Sequence, residues 1–284
     1  MADVQEAKFN PLHEAFVKRF VEACQADDRV LAACLIGSYA KGKADQYSDI
    51  DLMVIANDSA YDEFYQKRES FLRSLGDLVF LEDFGLPDIA FYIYADGTEG
   101  ELYFGTESRL AQLYDAPFRI LLDKKNILTA VTYSPSPKAF DADKQTELLR
   151  QNIYGFWHEM SHFTTAMGRR QLWWARGQVE SLRSICVTLA RLQHDFSDTE
   201  IGNEPYFKIE NCMSVEKLLP LKSTFCPLER NAMLQSVQDL LSFYREAARS
   251  LAEAQHIPYP ESLERVMRMR LKNLHLDKES SSPG

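Results

Sequence analysis

Residues 37–51 contain two short motifs whose side chains could act together on a phosphate substrate. Gly37 and Ser38 come first, and Asp49 and Asp51 follow in the same stretch. A glycine turn exposes backbone N–H groups and the serine adds a hydroxyl, and both kinds of group bind phosphate oxygens. Two carboxylates held close together repel each other unless a cation lies between them, and oxygen ligands favour Mg²⁺ or Mn²⁺. The stretch therefore predicts metal-dependent chemistry on a nucleoside triphosphate.

Two apolar segments flank this stretch and predict the strands that position it. Residues 31–36 read Leu-Ala-Ala-Cys-Leu-Ile before the glycine, and residues 52–56 read Leu-Met-Val-Ile-Ala after the second aspartate. Successive side chains of a strand point to opposite faces, so we predict that Asp49 and Asp51 belong to the second strand and share one face. Each motif is short and common, so an ordinary turn followed by a solvated strand end is the alternative interpretation.

The combination of motifs resembles the signature of the DNA polymerase beta-like nucleotidyltransferase superfamily, in which Gly-Ser precedes Asp-x-Asp by about ten residues. Residues 45–51, Asp-Gln-Tyr-Ser-Asp-Ile-Asp, are similar to the version found in bacterial aminoglycoside and lincosamide nucleotidyltransferases. The resemblance implies transfer of a nucleoside monophosphate, AMP from ATP or its equivalent from another NTP, to a hydroxyl of a small molecule. It implies that Asp49 and Asp51 hold the metal and act in catalysis. The triphosphate site would be formed by Gly37, Ser38, Lys41 and Lys43.

The resemblance also implies a third carboxylate, on a strand next to the Asp-x-Asp strand, that acts as general base toward the acceptor hydroxyl. Residues 89–94 and 101–104 flank a turn sequence and predict a hairpin. Glu101 opens the returning strand and matches the expected position. A solvated glutamate beside the turn is the alternative interpretation, and three nearby acidic residues compete for the role: Asp88, Asp96 and Glu99.

The pattern of apolar residues predicts an α+β chain of two domains. In residues 1–130, apolar runs and two amphipathic helices predict a mixed β-sheet with flanking helices. The second of these helices, over 60–75, is expected on the sheet face opposite the carboxylates. A proline-marked connector at 132–137 follows.

Strand signals then end, and residues 138–276 predict an all-α helical bundle. Its helices are predicted at 141–167, 171–194, 227–254 and 260–275, with a longer irregular connection at 195–226. Aromatic placement and helix order in this half weakly resemble the helical domain of the antibiotic nucleotidyltransferases.

A competing motif lies in the helical half, where residues 158–162 read His-Glu-Met-Ser-His. On a helix His158 and His162 share one face and could hold Zn²⁺, with Glu159 as the base of a peptidase. A third ligand is required, and Glu180 is the candidate. A zinc peptidase is therefore the remote alternative. A non-catalytic nucleotide-binding or antitoxin-like partner protein is the other alternative, although the presence of all three carboxylates argues against it.

Composition and charge restrict the partners. No apolar run approaches the roughly 20 residues of a membrane span, the first residues lack signal-peptide features, and the five cysteines are scattered, so we expect a cytoplasmic protein without membrane association. Residues 1–125 hold 23 acidic against 13 basic residues, whereas residues 126–284 hold 19 of each. This acidic excess disfavours nucleic acid and favours a small, cationic acceptor, and a merely solubilising surface is the alternative interpretation. The resemblance implies an aminoglycoside or lincosamide antibiotic as acceptor, and the charge favours the aminoglycoside. Monomer and homodimer both remain open.

Overall fold

The computed structural model of the chain describes residues 11–110, 117–129, 141–198, 201 and 204–276. The chain divides into two compact units between Pro137 and Lys138. The predicted connector at 132–137 lies outside the described residues. Each unit has a hydrophobic core of its own.

The first unit consists of a β-sheet and short flanking helices. Its helices are α1 (Pro11–Ala26), α2 (Gly37–Ala40), α3 (Tyr61–Gln66) and α4 (Arg68–Ser74). Its strands are β1 (Val30–Leu35), β2 (Leu52–Ala56), β3 (Leu78–Glu82), β4 (Ile89–Tyr94), β5 (Glu99–Thr106) and β6 (Arg119–Asp123). Single turns of 3₁₀-helix at Asp58–Ala60 and Glu107–Arg109 follow β2 and β5.

The six strands form one mixed sheet in the order β3-β4-β5-β2-β1-β6, which confirms the predicted fold class. Strands β2 and β5 run parallel, with Leu52 opposite Leu102, and the other neighbouring pairs are antiparallel. The parallel pair lies in the middle of the sheet. It joins two segments that are far apart in sequence, and the candidate site lies where both strands begin.

Alternating side chains of β2 pack into separate cores on the two faces of the sheet. Leu52 and Val54 lie in a cluster with residues of α1, α3 and α4. Met53 and Ile55 lie in a smaller cluster on the opposite face. Where one long helix was predicted over residues 60–75, the structure has α3 and α4, and the backbone leaves the helical conformation at Lys67 between them.

The second unit is entirely helical in its described part, as predicted. Its helices are α5 (Ala142–Gly168), α6 (Leu172–His194), α7 (Ile209–Cys212), α8 (Val215–Lys222), α9 (Arg230–Ala254) and α10 (Glu261–Leu276). Asp141 caps α5 by accepting a hydrogen bond of 3.0 Å from the Lys144 N–H. Phe156, Trp157 and Tyr244 pack together at the centre of the bundle. None of the described helices has the length and apolar character needed to cross a membrane.

Candidate active site

Asp49 and Asp51 lie in an extended segment that immediately precedes β2, so the prediction that they belong to that strand is wrong by a few residues. Single hydrogen bonds hold the segment on its two sides. The Ile50 N–H donates to the Glu99 carbonyl (2.9 Å), and the Ile36 N–H donates to the Asp51 carbonyl (3.0 Å). The segment therefore continues in the direction of β2, but it lacks the full set of hydrogen bonds that a strand makes with its neighbours. Ile50 is buried among the helices, so the flanking carboxylates project toward the opposite face.

Glu101 lies beside Asp51 because of the parallel pairing of β2 and β5. The register places Leu52 opposite Leu102, and the residues that precede each of them are therefore neighbours. The Tyr103 hydroxyl donates a hydrogen bond of 2.6 Å to Glu101 Oε2. Tyr103 and Glu101 are two residues apart on β5, so their side chains share one face of the sheet. The tyrosine therefore holds one carboxylate oxygen and leaves Oε1 without a bond to it.

Two of the three competing acidic residues are held by other hydrogen-bond partners, and the third is exposed to solvent. Asp88 accepts hydrogen bonds from the Tyr61 hydroxyl and from Arg109 Nη1. Asp96 accepts a hydrogen bond of 3.0 Å from the Thr98 N–H in the turn between β4 and β5. Glu99 is exposed at the start of β5. Of the four acids near this hairpin, Glu101 is the one that the parallel register brings beside Asp51.

Asp51 is electrostatically strained. Burial, reinforced by the negative charges of Asp49 and Glu101 and opposed by Lys41, raises the pKa of Asp51 from its ordinary value of 3.8 to about 7. The four side chains therefore lie within electrostatic range of one another. A divalent cation between the carboxylates would replace this repulsion by attraction.

The residues present fit a metal that is shared with a phosphate substrate. In the part of the chain that the structure describes, no group of three His, Cys, Asp or Glu residues is arranged to hold a metal ion. Mg²⁺ is commonly bound by one or two carboxylates, with phosphate oxygens and water completing its coordination shell. An Asp49–Asp51 pair beside a phosphate-binding turn has this character.

Gly37 and Ser38, which form the first turn of α2 rather than a separate turn, lie against Asp51. Gly37 has a φ of +62°, and a Cβ atom at this position would lie 1.9 Å from Asp51 Oδ2. Only glycine therefore allows the turn and the carboxylate to approach so closely. The Ser38 hydroxyl is buried and has no hydrogen-bond partner among the described residues. Because buried polar atoms are nearly always paired, this hydroxyl fits a site that receives a phosphate oxygen.

The two lysines of the motif differ in their surroundings. Lys41 is exposed but close enough to Asp51 to favour the ionised carboxylate. Lys43 is also exposed, and its backbone N–H donates to the Ser38 carbonyl (3.0 Å). The structure therefore brings the charge of Lys41 to the carboxylates and uses the backbone of Lys43 to close the turn.

Four residues that support the site were not singled out by the sequence. A Cβ atom on Gly100 would lie 2.0 Å from the Ile50 carbonyl oxygen, so β5 can approach the Asp-x-Asp segment only at a glycine. The Tyr92 hydroxyl donates to that same carbonyl (2.5 Å). Below the turn, His13 Nδ1 and the Tyr39 hydroxyl share a buried hydrogen bond of 2.5 Å. Gly100 could have been identified from its position immediately before Glu101. The roles of His13 and Tyr92 depend on tertiary contacts that the sequence does not reveal.

The histidines of the competing motif lie together on an exposed side of α5. Their Nε2 atoms are 3.2 Å apart. Glu180, the proposed third zinc ligand, is instead bonded to Arg183 and to the Tyr206 hydroxyl (2.7 Å). The described residues thus provide no third ligand of the kind that a zinc peptidase requires.

Comparison with known proteins gives a match to a family model and matches to solved structures. A family model described as streptomycin adenylyltransferase matches residues 13–274. A crystal structure of an aminoglycoside 6-adenyltransferase from Bacillus subtilis is similar over 92% of this chain and 98% of its own, with 15% identity and a TM-score of 0.41. No curated protein sequence matches the chain at a significant level. The matched range of the family model contains every residue of the candidate site.

Proposed function

The chain belongs to the streptomycin adenylyltransferase family and is a nucleotidyltransferase, and we propose that it transfers AMP from ATP to a hydroxyl of an aminoglycoside, with release of pyrophosphate. The observation that carries this proposal is the junction of three sequence segments at one point. The Gly37–Ser38 turn, the Asp49–Asp51 pair and Glu101 meet where β2 and β5 begin side by side.

Each segment has a separate task in the proposed reaction. The Gly37 and Ser38 N–H groups and the free Ser38 hydroxyl bind phosphate oxygens, and Lys41 adds a positive charge. Asp49 and Asp51 would hold Mg²⁺ or Mn²⁺, which supplies charge neutralisation at the triphosphate when bound.

Glu101 is the proposed general base. It takes the proton of the acceptor hydroxyl on Oε1, because Tyr103 holds Oε2. The hydroxyl oxygen then forms a bond to the α-phosphorus of ATP. The bond from that phosphorus to the β-phosphate oxygen breaks, and pyrophosphate leaves with its electron pair.

An aminoglycoside is favoured over a lincosamide as acceptor for two reasons. The family description refers to streptomycin, a cationic aminoglycoside. The acidic excess of residues 1–125 also complements a polycation. The lincosamide of the broader sequence resemblance remains the second acceptor to test.

The test is label transfer from α-labelled ATP, with Mg²⁺, to a panel that contains streptomycin, other aminoglycosides and lincomycin. We expect label on an aminoglycoside, and a loss of about 100-fold or more in Glu101→Gln, as for removal of a general base. Glu99→Gln is the matched control, since this exposed acid lies two residues away on β5. Transfer to lincomycin alone, or equal activity of Glu101→Gln and the wild type, would contradict the proposal.

Label transfer and antibiotic resistance, measured on the same variant, together test the non-catalytic alternative. If the chain only binds nucleotide, Asp51→Asn retains its biological effect although no label is transferred. If the chain is a transferase, Asp51→Asn loses transfer and resistance together.

A further inference from the structure

Two histidines on α5 form a side-chain pair that the transfer reaction does not use. His158 and His162 lie one helical turn apart, with ring centroids separated by 4.5 Å and planes at 85°. The His158 side chain is 69% exposed, so the pair is accessible to solvent. From this geometry we propose an open site for a divalent transition metal, with His158 Nε2 and His162 Nε2 as its two protein ligands.

The separation of the two nitrogens suits a shared metal ion. Their Nε2 atoms are 3.2 Å apart. At a Zn–N bond length of about 2.0–2.1 Å, this separation corresponds to an N–Zn–N angle of roughly 100°. That angle is close to the tetrahedral value that zinc adopts, so the spacing of the two nitrogens suits one shared ion.

A carboxylate orients the first ligand. Glu159 Oε1 lies 3.0 Å from His158 Nδ1, which places the proton on Nδ1 and the lone pair on Nε2, toward His162. With its amide nitrogen toward the glutamate, Gln178 donates to Glu159 Oε2 (2.5 Å) and accepts from Trp174 Nε1 (3.2 Å). Both carboxylate oxygens of Glu159 are therefore engaged, one by the proposed ligand His158 and one by Gln178. A peptidase would need this glutamate free to act as a base.

In the metal-free pair, one proton has to move before a metal ion can bind. With the His158 lone pair on Nε2, His162 donates its own Nε2 proton across the 3.2 Å contact. A metal ion takes both lone pairs, and the His162 proton then resides on Nδ1.

The chemistry of this site separates it from the carboxylate site of the first unit. Imidazole nitrogen favours Zn²⁺, Ni²⁺ and Cu²⁺, whereas paired carboxylates favour Mg²⁺. No third protein ligand is placed at the pair among the described residues, so water or an outside nitrogen or oxygen donor occupies the other positions. The proposal is thus an exchangeable transition-metal site on the helical unit, independent of nucleotide transfer.

The experiment is a calorimetric titration of the full chain with ZnCl₂ in the presence of excess Mg²⁺. We expect one zinc-binding event that disappears in His158→Ala and in His162→Ala. Glu159→Gln should weaken it by about tenfold, the lower end of effects for such supporting residues. His256→Ala is the matched control, because His256 is exposed on the same unit in the turn after α9 and should leave zinc binding unchanged.

A local optical signal makes the assignment specific. The Trp174 ring lies 5.8 Å from the His162 ring, so Cu²⁺ at the pair should quench its fluorescence, and Trp174→Phe should remove most of the quenched signal. Circular dichroism shows whether the alanine variants keep their helices. Zinc binding that persists in both folded histidine variants, or no zinc binding by the wild type, overturns the proposal.

Discussion

Asp51 carries an electrostatic penalty that should appear as a pH-dependent stability. Its pKa is raised from 3.8 to about 7, so between these values the folded chain binds more protons at this carboxyl than the unfolded chain does. Asp51 therefore destabilises the metal-free protein progressively as the pH rises from about 4 to about 7, and the penalty is complete above that range.

The corresponding variant is Asp51→Asn, which removes the charge and keeps the shape. We expect it to raise the melting temperature of the metal-free protein by a few degrees at pH 8 and to have little effect near pH 4, while transfer activity is lost. Thermal unfolding followed by circular dichroism at both pH values checks this. An equal change in melting temperature at the two pH values would show that burial and repulsion of the charge are not the cause.

Tyr103 is a positioning residue in the proposed mechanism, since it acts through Glu101. Tyr103→Phe removes the donor to Glu101 Oε2 and should reduce kcat by about tenfold or more, the loss expected for a hydrogen bond to a charged group. The loss should appear in kcat and leave KM nearly unchanged, because Tyr103 acts through the proposed base. Tyr65→Phe is the control, as Tyr65 packs against Phe104 on the helical face of the sheet. An equal fall in kcat in both variants would indicate a packing defect.

Four of the proposed site residues could be expected near one another because their spacing along the chain is short. Gly37, Ser38, Asp49 and Asp51 all lie within residues 37–51. Tyr103 could be placed only once the register of β5 was known. Glu101 was proposed from the family resemblance. That it lies beside Asp51 became clear only from the parallel pairing of β2 and β5.

At the scale of elements, β5 closely approaches the backbone of the segment that carries the carboxylates. Gly100→Ala would place Cβ 2.0 Å from the Ile50 carbonyl oxygen, so one backbone has to move. We expect a destabilisation of about 1–3 kcal/mol or more, as for overpacking, together with weaker nucleotide binding. Urea unfolding and a nucleotide titration measure the two effects.

Gly177→Ala provides the contrast for this substitution. Gly177 lies within α6, and a Cβ atom there would meet nothing within 4 Å. Alanine in a helix interior should stabilise by about 0.5–1 kcal/mol. A similar loss of stability in both variants would mean that the close approach of β5 is not what makes Gly100→Ala costly.

The elements that the sequence did not predict are short or interrupted. Helix α8 contains Pro220, which argues against a helix, yet Leu221 is buried in the bundle core and tertiary packing outweighs local preference. The break at Lys67 interrupts a pattern of apolar residues that is otherwise continuous. Strands β1, β2, β4 and β5 and the four long helices of the described part of the second unit were predicted to within a few residues, because each has a sustained apolar pattern.

At the scale of the molecule, charge is distributed unevenly along the chain. The net charge of −10 resides in residues 1–125. For a polycationic acceptor we therefore expect kcat/KM to fall as NaCl is added, because salt screens long-range attraction. With ATP as the varied substrate the fall should be smaller, since ATP is itself an anion. Steady-state kinetics over a salt series tests this, and equal dependence for both substrates would contradict it.

The parallel pairing of β2 and β5 has a consequence for how the first unit acquires its activity during folding. The hairpin of β4 and β5 closes a short loop, whereas Asp51 and Glu101 meet only after the chain across residues 57–98 has been brought back on itself. Non-local pairing of this kind is slow to form compared with hairpins and helices. A refolding chain is therefore expected to regain helical content and the hairpin before it can bind nucleotide, and nucleotide binding marks completion of the sheet.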